Sequence, residues 1–160
     1  MRRKDREITD LEEILCLLKE AKMLHLAMRG EEYPYIVPMH YGFEYIEERD
    51  SFVFYVHCAM EGRKLDLLRK DPRVCIEIED RVIPIDGGED PCRYGAYYAS
   101  FIAEATVQFL EEKSETIHGL ECLMLQQTGK SFPITEEKAE GVMVLRITTE
   151  HYSAKAKKPQ

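Results

Sequence analysis

The spacing of its apolar runs constrains this chain more than any other feature. Residues 23–28, 33–43 and 51–56 are rich in β-formers, and only short polar turns divide them, at Arg29-Gly30-Glu31-Glu32 and Glu47-Glu48-Arg49-Asp50. Parallel strands need a crossover of about a dozen residues or more, and these links are too short to supply one. The three runs therefore read as an antiparallel meander. Pro34 and Pro38 fall inside the second run. Neither can donate to a ladder, which places that segment at an edge, a bulge or a bend.

The remaining elements fit the same class. Thr9 and Glu12 have capping-box spacing, and Leu11, Ile14, Leu15 and Leu18 recur at helical intervals, predicting a helix over 9–22. A short helix over 62–70 buries Leu65, Leu67 and Leu68 and stops at Asp71-Pro72. Residues 74–79 alternate as a half-buried strand, and 97–110 and 142–149 read as further strands around a helix over 111–127. Residues 81–93 hold Pro84, Gly87, Gly88 and Pro91 and read as the one long loop. The expected fold is mainly β (α+β), an antiparallel barrel with flanking helices, in a single domain over 1–160 with a basic tail from about 154.

Charge and composition narrow the partners. Twenty-two Lys and Arg against 30 Asp and Glu give a net charge of −8, which argues against nucleic acid, whose complexes depend on neutralised phosphates. The cations that do cluster lie at the ends, at Arg2, Arg3, Lys4 and Arg6 and at Lys155, Lys157 and Lys158. These read as solvated termini. No apolar run approaches membrane-spanning length, and the opening residues lack a signal-peptide core. Five cysteines (Cys16, Cys58, Cys75, Cys92 and Cys122) form no CxxC pair, so reduced thiols in the cytoplasm are the expectation.

Chemistry concentrates at residues 54–65, where a strand passes through small residues into a helix headed by Arg63-Lys64. The first turn of a helix carries unpaired N–H groups and the positive end of the dipole. Two cations there oppose the dipole unless an anion lies between them, and phosphate is the usual occupant. The alternative is that both point into water. His57 reads as an acid/base, a ring-stacking wall or a structural histidine. Cys58 is either a thiolate lowered by nearby cations or a small buried residue. His25 and His40 read as core or site-wall residues. His118 and Cys122 stand at i and i+4, but no third ligand is within sequence reach, so no metal site is expected. GxSxG, HExxH, Walker and GxGxxG motifs are all missing, which removes several enzyme classes.

Taken together these segments resemble the pyridoxamine 5′-phosphate oxidase-like flavin-binding split barrels, and more closely their nitroimidazole-resistance branch. The resemblance rests on four stretches: residues 1–8; Tyr33-Pro34-Tyr35-Ile36-Val37-Pro38-Met39-His40-Tyr41; His57-Cys58-Ala59 with Gly62-Arg63-Lys64; and Asp71-Pro72-Arg73-Val74-Cys75. It implies a split β-barrel homodimer with a flavin at the interface. Arg63 and Lys64 would bind the flavin phosphate, with Cys58 and Ala59 lining that pocket. The backbone of Val37, Pro38, Met39, His40 and Tyr41 would pass the ring edge. Tyr41 and Tyr55 would be pocket walls, His57 a proton donor and Ser100 a further ligand. Two glycines of the family pattern are Ala103 and Ala105 here, and Cys58 stands where many relatives carry Ser. The implied activity is FMN-dependent reduction of a small oxidised acceptor, for which a nitroaromatic is one candidate, with electrons from a nicotinamide. The alternatives are a flavin-binding module without turnover, or a barrel using FAD, deazaflavin or pyridoxal phosphate.

Overall fold

A computed structural model describes residues 3–159, so Met1 and Arg2, which open the first quoted stretch, and Gln160 lie outside the described residues. The chain runs β1 (Glu7–Ile8), α1 (Leu11–Glu20), β2 (Met23–Met28), β3 (Tyr35–His40), β4 (Gly42–Ile46), β5 (Ser51–Ala59), α2 (Arg63–Lys70), β6 (Arg73–Ile85), β7 (Gly95–Phe109), α3 (Lys113–Thr128), α4 (Glu136–Ala139) and β8 (Val142–Lys157). Every strand pairing is antiparallel, in the order β3-β2-β6-β7-β8-β5-β4, with β1 added beside β8.

One residue explains why this sheet curls. Strands β3 and β4 lie at opposite ends of that order, yet only Tyr41 separates them in the chain. A single residue spans only about 7 Å between its neighbours, so the two edges must come round to meet at that corner. They do so without pairing to each other, which makes the fold an antiparallel split β-barrel. The expected meander is thereby corrected: β2 pairs with β3 and β4 with β5, but the run over 33–43 breaks at Tyr41 and crosses between edges. Pro38 lies on edge strand β3, where its missing N–H costs no ladder bond.

The barrel interior is aromatic. Phe52 packs edge-on to Phe101 and Tyr152 at 5.3 and 5.1 Å between ring centroids, and Tyr41 packs the same way on Phe54 at 5.6 Å. Strand β5 is buried on both faces, because Phe52, Phe54 and Val56 point inward while Val53 and Tyr55 meet the α3 side. Ala103 and Ala105 also belong to the interior. Their methyl groups fill core space where the family pattern has glycine.

Four boundaries move. Asp10 rather than Thr9 caps α1, its Oδ1 accepting from the Glu12 N–H at 3.1 Å. The loop expected over 81–93 shortens, because β6 runs on to Ile85 past a bulge in which Arg81 takes a left-handed φ of 59°. Its side chain is tied back to α1, Nε donating to Glu20 at 2.6 Å. Strand β8 continues to Lys157, so the basic tail is sheet rather than solvated chain. Lys155 stands over the Tyr98 ring, and Lys158 pairs with Glu13 at 2.7 Å. Finally, α3 spans Lys113–Thr128 and is followed by the short α4.

Candidate functional site

Strand β5 hands over to α2 through Met60, Glu61 and Gly62, and the handover is open. Gly62 is the N-cap residue with φ 142°, no side chain caps the helix, and a Cβ built on Gly62 would meet nothing within 4 Å. The conformation favours glycine; the Leu65 N–H donates back to the Gly62 carbonyl at 2.9 Å, and the N–H groups of Arg63 and Lys64 have no side-chain cap. Behind them Leu65, Leu67 and Leu68 are buried and anchor the helix to the barrel.

Two cations head the helix, with Glu61 and Asp66 exposed beside them. The Arg63 guanidinium lies over the Tyr35 ring at 4.6 Å from its centroid. The Lys64 ammonium approaches the Met39 sulfur at 3.7 Å. Among the described residues neither cation forms an ion pair, whereas Arg3, Arg69, Lys70, Arg73, Arg81, Lys113, Arg146 and Lys158 all do. The acid that feels Arg63, Glu31, is committed to Lys70 at 2.9 Å. Burial, then Lys64, then His40 push the His57 imidazole below its ordinary range, so it is neutral at neutral pH. Burial raises the Cys58 thiol despite Lys64. The thiolate reading of Cys58 is thus corrected in favour of a small, partly buried wall residue packed against the core.

The structure brings together His40, His57, Cys58, Ala59, Arg63, Lys64 and Met39, with Val37 and Pro38 on the neighbouring edge strand. It does not bring in the rest. The Tyr41 ring is fully buried, its hydroxyl donating to the Leu18 carbonyl at 2.7 Å and the Ala21 carbonyl at 3.2 Å, and its own carbonyl accepts from Gln127. A ring so enclosed offers no face to a ligand. Tyr55 points to the α3 side, its hydroxyl on Glu44 at 2.9 Å. The expectation that these two rings wall the pocket is corrected: the crossover encloses Tyr41, and α3 covers the Tyr55 ring where Gly119 packs against it. His25 is no core residue; it meets Glu77 at 3.1 Å on a half-exposed face.

Ser100 is buried, and its hydroxyl has no partner. On β8, His57 faces Val144 and Ser100 faces Lys155, a separation of roughly 35 Å along the strand. One copy of the chain does not unite Ser100 with the corner. Sequence reasoning missed the Tyr35 ring as a seat for Arg63. The signal was present: Tyr35, Val37 and Met39 alternate onto one face of β3.

The fit to an anionic ligand can be judged from these groups alone. Two cations without an ion pair, first-turn N–H groups without a side-chain cap and a neutral imidazole form a donor set that suits phosphate; of the nearby acids, Asp66 is held by Arg69 at 3.4 Å and Glu61 is exposed.

Comparison with known proteins adds a lineage. The family model described as pyridoxamine 5′-phosphate oxidase matches residues 10–156. No match is found among curated proteins. Of solved structures, a candidate 5-nitroimidazole antibiotic resistance protein from Bacteroides thetaiotaomicron superposes with TM-score 0.78 at 24% identity, covering 94% of this chain and 86% of that one. A flavocytochrome from Azotobacter vinelandii gives 0.79 at 13% identity, over 99% and 72% of the two chains. An FAD and haem binding protein from Mycobacterium smegmatis gives 0.78 at 13%, over 96% and 74%. At these identities the likeness is one of fold.

Proposed function

The chain belongs to the pyridoxamine 5′-phosphate oxidase family, and from that premise we propose that its β5–α2 corner holds the phosphate of a flavin, FMN foremost, in a flavin-dependent oxidoreductase. The observation that carries this reading is the pair Arg63 and Lys64. They stand side by side at a helix start that no side chain caps, and among the described residues neither forms an ion pair. A bound flavin supplies two-electron transfer. The chain's own groups do the rest. Arg63, steadied on Tyr35, and Lys64 hold the phosphate. Edge strand β3 offers backbone to the ring system at Val37, Pro38 and His40, and the neutral His57 imidazole offers one N–H to an acceptor.

A homodimer is part of the proposal. Ser100 lies far along the sheet from this corner and joins it only if a second copy supplies that residue. Ile36 on β3 and Ile102 on the outer face of β7 are exposed apolar side chains suited to such an interface. The similar structures, a flavocytochrome, an FAD and haem binding protein and a candidate nitroimidazole resistance protein, support a flavin and make a nitroaromatic compound a reasonable acceptor class. A reducing compartment suits the five free cysteines, and no helix is long and apolar enough to cross a membrane.

Anaerobic stopped-flow tests the reading. The expected result is bleaching of bound FMN by a reduced nicotinamide, then recovery of colour with a nitro compound, in a species sedimenting as a dimer. Bound flavin that stays oxidised under every nicotinamide tried supports a binding module instead. Protein that takes up no flavin at all defeats both.

A further inference from the structure

A second polar cluster lies on the α3 side of the barrel, and two glycines create it. A Cβ on Gly42 would fall 2.3 Å from the Cys122 carbonyl carbon, and one on Gly119 would fall 2.9 Å from Cδ1 of Tyr55. Helix α3 therefore lies with its backbone almost on β4 and β5, closer than any side chain at these two positions would permit. His118 and Cys122, one turn apart on α3, thereby reach Glu44 on β4, 74 residues from His118 in sequence. Nε2 of His118 is 3.0 and 3.1 Å from the two Glu44 oxygens, and Sγ of Cys122 is 3.5 Å from the same nitrogen. All three donor atoms lie within 4.8 Å of one another.

We propose that Glu44, His118 and Cys122 bind one divalent transition-metal ion, Zn²⁺ foremost, with water in the fourth position. Zinc bonds of about 2.0–2.3 Å at tetrahedral angles set donor atoms roughly 3.3–3.6 Å apart. His118 Nε2 is already near that spacing from both partners, at 3.0 Å from Glu44 and 3.5 Å from Cys122, so side-chain rotation can open room for an ion between them. A thiol with an imidazole selects zinc-like ions over calcium or magnesium, which prefer all-oxygen shells.

The surroundings are those of a supported site. The Tyr55 hydroxyl holds the second oxygen of Glu44 at 2.9 Å, and the Tyr55 ring stands edge-on to the imidazole at 5.5 Å, fixing both ligands from behind. In front, a groove of about 560 Å³ between α1 and α3 has Glu44 and Cys122 in its wall beside Phe43, Tyr45 and Leu125. That groove provides an entry path and room for the water ligand. Coordination places the ion where Nε2 of His118 now faces Glu44 at 3.0 Å, and it takes Cys122 as the thiolate.

Anaerobic titration of the chelator-stripped full chain with Co²⁺ tests the proposal. The expected result is one equivalent bound, intense visible bands of four-coordinate cobalt and a near-ultraviolet thiolate-to-metal band, all bleached by Zn²⁺. Cys122→Ser should abolish the near-ultraviolet band, and His118→Ala should weaken binding beyond the roughly 10- to 100-fold cost of an outer-shell change. Both variants should retain the wild-type flavin content, since the cluster lies apart from the β5–α2 corner. No stoichiometric uptake, or a thiolate band that survives Cys122→Ser, overturns the assignment; the latter would point to exposed Cys16, Cys75 or Cys92. If Cys122→Ser fails to fold, the cobalt spectrum of His118→Ala decides: loss of the one-equivalent four-coordinate bands supports the site, and an unchanged spectrum refutes it.

Discussion

Two helix ends in this molecule are treated in opposite ways. The C-terminus of α1 is sealed: Gln126 Nε2 approaches the carbonyls of Leu18, Lys19 and Ala21 at 2.8, 3.1 and 2.9 Å, and the Tyr41 hydroxyl reinforces the first and last. Lys22 then ties the Gln126 carbonyl to the same end at 2.7 Å. The N-terminus of α2 has no side-chain cap, and its two cations lack an acid. A helix end left bare costs stability unless something else satisfies it. The first end is thus assigned to holding α1 and α3 on the barrel, and the second to a ligand that the chain does not itself supply.

Mutations should separate the two ends by what they change. The largest effect should come from Tyr41→Ala, which removes a fully buried ring and the hydroxyl that seals α1; a loss of about 3–5 kcal/mol in denaturant-measured stability is expected. If that stability is unchanged, the sealed end is not structural. Next, Arg63→Ala with Lys64→Ala should weaken FMN binding by at least about a hundredfold, the roughly 3 kcal/mol of two charge-assisted hydrogen bonds, without lowering the melting temperature of the flavin-free protein. A fall in that temperature would show that these cations serve the fold. Gln126→Ala should cost about 1–2 kcal/mol of stability and leave flavin affinity alone, as calorimetry and a flavin titration can show together.

The smallest effect is a pH dependence. His57 is depressed in the folded state, so the unfolded chain binds its proton first as pH falls. Its contribution to stability is complete above the ordinary imidazole pKa, about 6.5, and is lost as pH drops through the lower folded value. Unfolding curves of wild type and His57→Gln should therefore converge toward acid, with the wild type losing more. Parallel curves would mean that neither burial nor Lys64 depresses His57.

The open end was far more legible in the sequence than the sealed one. Arg63-Lys64 after a small-residue turn announces a helix start that opposes its own dipole, and that conflict is local. So is the alternation that set the strands. Nothing local marks Gln126 as the cap of a helix 105 residues away or more. Nor does anything local mark Tyr41 as the crossover between sheet edges, because a tyrosine among β-formers looks like one more strand residue. The same limit hid Glu44. His118 and Cys122 show their shared face by spacing, but their third neighbour arrives only when Gly42 lets α3 close on β4. The β6 extension was missed for a different reason: Pro84 and Gly87 signal a loop, while the bulge at Arg81 lets the ladder resume beyond it.

The central claim is that a phosphate, and not merely a ring system, docks on the uncapped end of α2. Paired titrations of flavin-free protein with FMN and with riboflavin, which lacks only the phosphate, measure this directly. The account predicts that FMN binds at least about a hundredfold more tightly to the wild type, and that this preference disappears in the Arg63→Ala, Lys64→Ala protein. Equal affinity of the wild type for the two flavins would contradict it.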